Sequence, residues 1–178
     1  MNIKSGLVLA AVSSVLAVGA AQASDSTRHE AQAMEKAKIS LTEAIRIAEK
    51  QGNGQATSAE YEFKNGNPAY YEVKVLRNDG QKLTEYELSP STGAVKEKSD
   101  EKFEKMFTRL KPTAIQNAPT SLTRAITTAE TRAGGKAKEA SVSRDGDQLL
   151  YKVEVVKQDG TTEKVEINGS DGKVASAK

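Results

Sequence analysis

Along residues 40–49 the apolar side chains recur at Leu41, Ala44, Ile45 and Ala48, a spacing that lines one face of a helix. Ser40 stands just ahead of this stripe and Glu43 follows three positions later. Together they form a capping box, in which each side chain accepts a backbone N–H left open at the helix start. Gly52 and Gly54 predict its end. The period then changes to two. Ala59, Tyr61 and Phe63 alternate with polar residues; Tyr71, Val73 and Val75 alternate with Glu72 and Lys74; Tyr86 and Leu88 alternate with Glu85 and Glu87. Asn65-Gly66 and Asp79-Gly80 are turn signals, and Val95 falls in a short last strand. The pattern predicts one helix followed by an antiparallel meander of three or four strands, with the helix on one face of the sheet.

The pattern occurs twice. The stretch Ser40 to Glu49 returns at Ser121 to Glu130, with seven of ten positions identical. Tyr71-Glu72-Val73-Lys74-Val75 returns as Tyr151-Lys152-Val153-Glu154-Val155, and Asp79-Gly80 as Asp159-Gly160. Glu87 and Leu88 return as Glu166 and Ile167, and Thr92-Gly93-Ala94-Val95 as Asp171-Gly172-Lys173-Val174. The register slips by one residue twice, before the first hairpin and after the Asp-Gly pair, as two copies of one small domain should. Leu122, Ala125, Ile126 and Ala129 repeat the helical stripe, and Gly134 with Gly135 predicts its end. Ser121 repeats the cap, but Arg124 replaces the glutamate that would complete the box, so the second helix has a weaker start. The expected fold is α+β: two tandem modules, residues 39–99 and 120–178, each one helix packed on a three- to four-stranded antiparallel sheet.

Residues 1–23 read as an address. Lys4 supplies a positive start, an apolar run extends from Gly6 to Ala20, and Ala21-Gln22-Ala23 is a small-x-small cleavage site. Ser13 and Ser14 interrupt the run, which is shorter than the roughly 20 apolar residues a spanning helix needs. Cleavage after Ala23 would leave 155 residues and send the chain to a periplasm or the exterior, not into the membrane. Residues 24–38 form a polar, Ala-rich lead-in that is frayed or partly helical. Residues 100–119 form a linker. Phe103, Met106, Phe107 and Leu110 lie there at helical spacing, Lys111-Pro112 ends the helix, and the stripe is expected to pack between the modules.

Composition narrows the chemistry. There is no cysteine and one histidine, His29, in the lead-in. Thiol catalysis, disulfides and Cys/His zinc sites are excluded, and a Ser-His pair anchored in the fold has no histidine to use. The formal charge is +2 from 26 basic and 24 acidic residues, which gives no case for nucleic acid. The carboxylates Glu43, Glu49, Glu60, Glu62, Glu72, Glu85 and Glu87 read as a solvated face, not as an acid/base pair. Asp145-Gly146-Asp147 lacks the spacing and downstream glutamate of a calcium loop and reads as a hairpin. No catalytic residue, metal ligand or cofactor is expected, and the chain is not expected to be an enzyme.

One feature goes beyond packing. With Tyr71, Val73 and Val75 facing the helix, Tyr70, Glu72, Lys74 and Leu76 face away, and Leu150, Lys152, Glu154 and Val156 do so in the second copy. Apolar residues flank two charges each time, in opposite order. Either these faces pack on each other or on the linker, or Tyr70, Leu76, Leu150 and Val156 belong to a partner surface. Seven of the eight aromatic residues lie in the first module and linker, so large anchors would favour that copy.

The repeated order resembles the PepSY domain: Ser-Leu-Thr-x-Ala-Ile-x-x-Ala-Glu, Tyr-x-Val-x-Val, Asp-Gly, then a strand with a Thr-Gly or Asp-Gly step. That last element is Leu88-Ser89-Pro90-Ser91-Thr92-Gly93-Ala94-Val95 and Ile167-Asn168-Gly169-Ser170-Asp171-Gly172-Lys173-Val174. Ser89 stands where the family usually has an acidic residue. The resemblance implies cystatin-like units and, because such domains occur in propeptides of thermolysin-type metallopeptidases, a role in restraining a peptidase. No His-Glu-x-x-His occurs in the chain, so inhibition would act in trans by occlusion. The expected partner is a protein, with a metallopeptidase as one candidate. The alternative is a structural or sensory envelope module that binds a non-peptidase partner. The oligomeric state is left open.

Overall fold

The computed structural model describes residues 25–63, 67–102 and 111–178. Helix α1 (Asp25–Glu35) leads into α2 (Leu41–Gly52), then strands β1 (Gly54–Glu62), β2 (Tyr70–Arg77), β3 (Lys82–Leu88) and β4 (Val95–Lys102). A short α3 (Pro112–Gln116) precedes the second copy: α4 (Leu122–Ala133), β5 (Lys136–Asp145), β6 (Gln148–Val156), β7 (Thr162–Asn168) and β8 (Val174–Ala177). Each copy is a helix followed by a four-stranded antiparallel meander, as the periodicity predicts. The capping box at Ser40 and Glu43 is present, and Ser121 caps α4 without one. The predicted stripes are buried: Leu41, Ala44, Ile45 and Ala48 in α2, and Leu122, Ala125, Ile126 and Ala129 in α4.

Two local expectations change. Asn53, not a glycine, takes the left-handed turn after α2 with φ 46°, while Gly134 takes it after α4. Residues 100–102, expected to start the linker, continue β4 instead. Cross-strand bonds hold them there, since Asp100 accepts from the Thr84 hydroxyl at 2.6 Å and from Lys82 at 3.2 Å. These bonds hold the Asp100 carboxyl below its ordinary value. Pro112 opens α3, where the first helical position needs no N–H. The rest of the predicted linker stripe (Phe103, Met106, Phe107 and Leu110), the Asn65-Gly66 turn and residues 1–23 lie outside the described residues.

The two meanders are not separate sheets. β1 pairs antiparallel with β5, giving one eight-stranded sheet of order β4-β3-β2-β1-β5-β6-β7-β8. This seam has three rungs: Ser58 with Ser141, Ala59 with Ala140, and Glu60 with Glu139. Ala59 and Ala140 are repeat counterparts, so a pseudo-two-fold axis passes between them. Their side chains are buried, and α2 and α4 meet above them on the same face of the sheet. The seam is short because each strand bulges beside it, at Thr57 in β1 and at Lys138 in β5, again counterparts.

The lead-in helices fill the two openings that the short seam leaves, and they do so crosswise. From the first copy, α1 reaches the second: Glu35 pairs with Lys136 and Glu30 with the bulge residue Lys138, both at 3.1 Å. Ala31 and Met34 are buried there, so the lead-in is docked rather than frayed. From the second copy, α3 reaches the first. Gln116 donates to the Asn78 carbonyl and accepts from the Gln55 side chain, each at 3.2 Å, and Ile115 is buried.

Repeated bonds tie each helix to its strands. Glu49 accepts from the Ala56 N–H and Glu130 from the Ala137 N–H, both at 2.9 Å, so these carboxylates are structural and not merely solvated. Burial pushes the Glu49 carboxyl above its ordinary value, although the bond from Ala56 opposes it. The Tyr71 hydroxyl donates to the Ile39 carbonyl at 2.7 Å, and that of Tyr151 to the Thr120 carbonyl. Burial pushes the Tyr151 hydroxyl up to about 12 and raises that of Tyr71 as well. Gly54 and Gly135 sit where the chain turns from helix into strand against a neighbour. A Cβ on Gly54 would lie 2.1 Å from the Leu76 carbonyl oxygen. Gly54→Ala is expected to cost about 2–3 kcal/mol through this backbone clash, lowering Tm by about 5–10 °C. Gly134→Ala meets nothing within 4 Å. It should cost about 1 kcal/mol, from its left-handed backbone alone. Thermal melts compare the two, and equal losses would sink the assignment.

Candidate functional site

The seam dictates what lies on the sheet face opposite α2 and α4. Register connects six strands into one row there: Glu87 on β3, Glu72 on β2, Glu60 on β1, Glu139 on β5, Glu154 on β6 and Lys164 on β7. Five glutamates thus stand side by side on five adjacent strands, about 4.8 Å apart along the hydrogen-bonding direction. Lys96 on β4 pairs with Glu87, so a lysine closes the row at each end. The adjoining row reads Glu85, Lys74, Ser58, Ser141, Lys152 and Glu166. It is the image of the first row under the pseudo-two-fold, with a different chemistry.

The opposite charge order in the two copies explains this separation. The axis reverses strand direction, so β2 and β6 run past it in opposite senses. An identical Glu-x-Lys on both strands would mix the signs in each row. Glu72-x-Lys74 on one strand and Lys152-x-Glu154 on the other bring the two glutamates into one row and the two lysines into the next. Like charges directly opposed across strands destabilise a sheet, so the row works against the stability of its own fold.

Some of this charge is neutralised along or across the strands. Lys74 lies 3.2 Å from Glu72 and 3.7 Å from Glu85, and Lys164 lies 3.3 Å from Glu154. Among the described residues no cation comes within 4 Å of Glu60 or Glu139, the two at the axis. Lys138 approaches, but its ammonium is held by Glu30 of α1 at 3.1 Å. The Glu60 carboxyl is pushed up from its ordinary value, first by partial burial and then by Glu139 and Glu62.

Three of the four residues expected on a partner surface are covered. Leu76, Leu150 and Val156 are buried, and Tyr70 alone is partly exposed. Leu76 faces the equally buried Leu83 across β2 and β3, Leu150 is closed in between Ser143 and Asn168, and Val156 shares its surroundings with Met34 of α1. Three of these four strand ends are covered, and solvent reaches the charged middle of the face. The sequence signal for this was the swapped order itself, which has meaning only once β1 is known to pair with β5. Among the described residues no group of three or more His, Asp or Glu side chains is placed to hold a metal ion.

The architecture is that of a tandem α+β module built as an internal pseudo-dimer. Residues 38–98 and 120–178 each match the PepSY family, described as the peptidase propeptide and YPEB domain, and the chain belongs to that family. No curated protein matches the chain. Among solved structures, a protein described as a lipoprotein from Clostridium difficile 630 is 21% identical, with a TM-score of 0.49. The match covers 84% of this chain and 98% of that one. The YpmB protein from Bacillus subtilis is 19% identical, with a TM-score of 0.31, over 76% of this chain and 94% of its own.

The elevated Glu60 carboxyl carries a signed consequence. The folded state holds the proton more tightly than the unfolded chain, so Glu60 penalises folding above its raised pKa, and the penalty fades as pH falls through the ordinary glutamate range. Glu60→Gln should therefore raise Tm at pH 7 by about 1–3 °C and leave it unchanged near pH 3. Melts across this pH range check it. A loss of stability at pH 7 would show that Glu60 has a stabilising partner.

Proposed function

We propose that this chain is a non-catalytic binding protein of the cell envelope or exterior, whose charged sheet face docks on a basic segment of a partner protein. The observation that carries the reading is the five-glutamate row. It costs stability, its two central carboxylates stand without a close cation among the described residues, and the divergence of the two copies is what assembles it. Such a row, about 19 Å from first to last strand, complements an extended segment carrying several lysines or arginines. The family's description as a peptidase propeptide domain supports a peptidase as that partner. The signal-peptide pattern of residues 1–23 supports export, and no helix among the described residues is long and apolar enough to cross a membrane. On this reading the protein restrains the peptidase by covering its cleft, with no turnover of its own.

The test is a titration of a thermolysin-type metallopeptidase with the mature protein. Inhibition in the micromolar range is expected, weakening as salt rises. The double charge reversal Glu60→Lys with Glu139→Lys should weaken it about tenfold or more, with the melt confirming that the variant is folded. Full peptidase activity at the highest soluble concentration, with no complex seen by sedimentation, would overturn the peptidase reading. Inhibition unaffected by the double reversal would overturn the sheet face as its surface.

A further inference from the structure

The two helix starts differ where their sequences otherwise repeat. At α2 the Glu43 carboxylate accepts the Ser40 N–H at 2.8 Å, so an internal carboxylate occupies the positive end of the helix. The hydrogen bonds from the Ser40 backbone and side chain hold the Glu43 carboxyl below its ordinary value. At α4 the Ser121 side chain still caps the Arg124 N–H at 3.2 Å, but Arg124 stands where Glu43 does, and among the described residues no carboxylate receives the Ser121 N–H. The helix dipole and a guanidinium thus gather positive charge at a place that the other copy fills with a carboxylate.

A second observation points into the same place. Thr120, immediately before the cap, is fully buried, and among the described residues its hydroxyl has no hydrogen-bond partner. Its backbone is held rigidly: its N–H donates to the Gly169 carbonyl at 3.1 Å and its carbonyl accepts from Tyr151. The hydroxyl oxygen and the Arg124 Nε face the same gap beside Gly172. A Cβ on Gly172 would lie 3.3 Å from each. An orphaned buried hydroxyl costs stability until a partner reaches it. Arg124 itself is exposed to solvent.

We propose that the N-terminus of α4 is a carboxylate-binding site, in which a ligand carboxylate takes the position that Glu43 takes at α2. One oxygen accepts the Ser121 N–H, the Arg124 guanidinium closes on the carboxylate, and the Thr120 hydroxyl donates to it. The site is independent of the sheet face and of what docks there. The carboxylate comes either from a free small acid or from an acidic side chain on a protein.

The experiment follows the Ser121 amide and the Arg124 Nε resonance by NMR in the mature protein. Sodium acetate is titrated against sodium chloride at equal ionic strength. Acetate should move both resonances to saturation, and chloride should not. Arg124→Glu supplies the missing internal carboxylate, so it should abolish the acetate shift and raise Tm by about 2–4 °C. Thr120→Val should weaken acetate binding about three- to tenfold while leaving the fold no less stable, an outcome that a merely structural threonine would not give. An acetylated, amidated Gly-Glu-Gly peptide identifies the source: tighter binding than acetate assigns a protein side chain, and equal binding assigns a free acid. Absence of an acetate shift in the wild type, an equal response to chloride, or an undiminished shift in Arg124→Glu would each overturn the proposal.

Discussion

The structure depends on one small contact, the three-rung pairing of β1 with β5 about Ala59 and Ala140. The methyl groups there are buried under α2 and α4, which can meet above the seam only because nothing larger projects between them. A larger side chain at either position would have to lift both helices from the sheet, since interiors are packed too densely to absorb the extra volume. The seam also sets the geometry of everything else. Two antiparallel neighbours that are repeat counterparts generate a two-fold axis, and the axis fixes which residue of one copy faces which residue of the other. The arrangement is what an isologous dimer of single modules would show, here within one chain.

A module of about 60 residues buries too little surface to be more than marginally stable alone. The crossed lead-in helices answer that constraint. Each is covalently attached to one copy and packed against the other, so neither copy keeps its full core if the seam opens. The core accordingly runs through both copies as one cluster, from Met34 of α1 to Ile167 of β7. Without a disulfide, this sharing of apolar surface is the main source of the cohesion of the described residues.

Much of this was legible in the chain. The helical stripes, the strand alternation, the capping box and the duplication are local signals, and the structure shows each of them. The merger of two meanders into one sheet was not legible. Strand edges carry no pattern that says which edge will be covered, because backbone N–H and C=O groups are the same in every residue. For the same reason Leu76 and Val156 read as outward-facing and are buried: alternation assigns them a side, but not the helix or strand neighbour that closes over it. Glu49 reads as a surface carboxylate because its partner, the Ala56 N–H, becomes visible only at the helix-to-strand corner, as the Ala137 N–H does for Glu130.

The contrast between the copies separates packing from function. Where the fold depends on a residue, the two copies agree: Ala59 and Ala140, Tyr71 and Tyr151, Glu49 and Glu130, Gly54 and Gly135. Where they disagree, at Glu60 against Ser141, Ser58 against Glu139, Glu72 against Lys152 and Glu43 against Arg124, the side chains lie on the charged face or at a helix start. A pseudo-dimer whose halves were identical would present the same surface twice, and a partner could bind it in two equivalent orientations. Divergence at these positions gives the sheet a single acidic row and gives one helix of the two an open positive end. This asymmetry of charge defines one orientation for whatever binds, which is what a module that acts by contact requires.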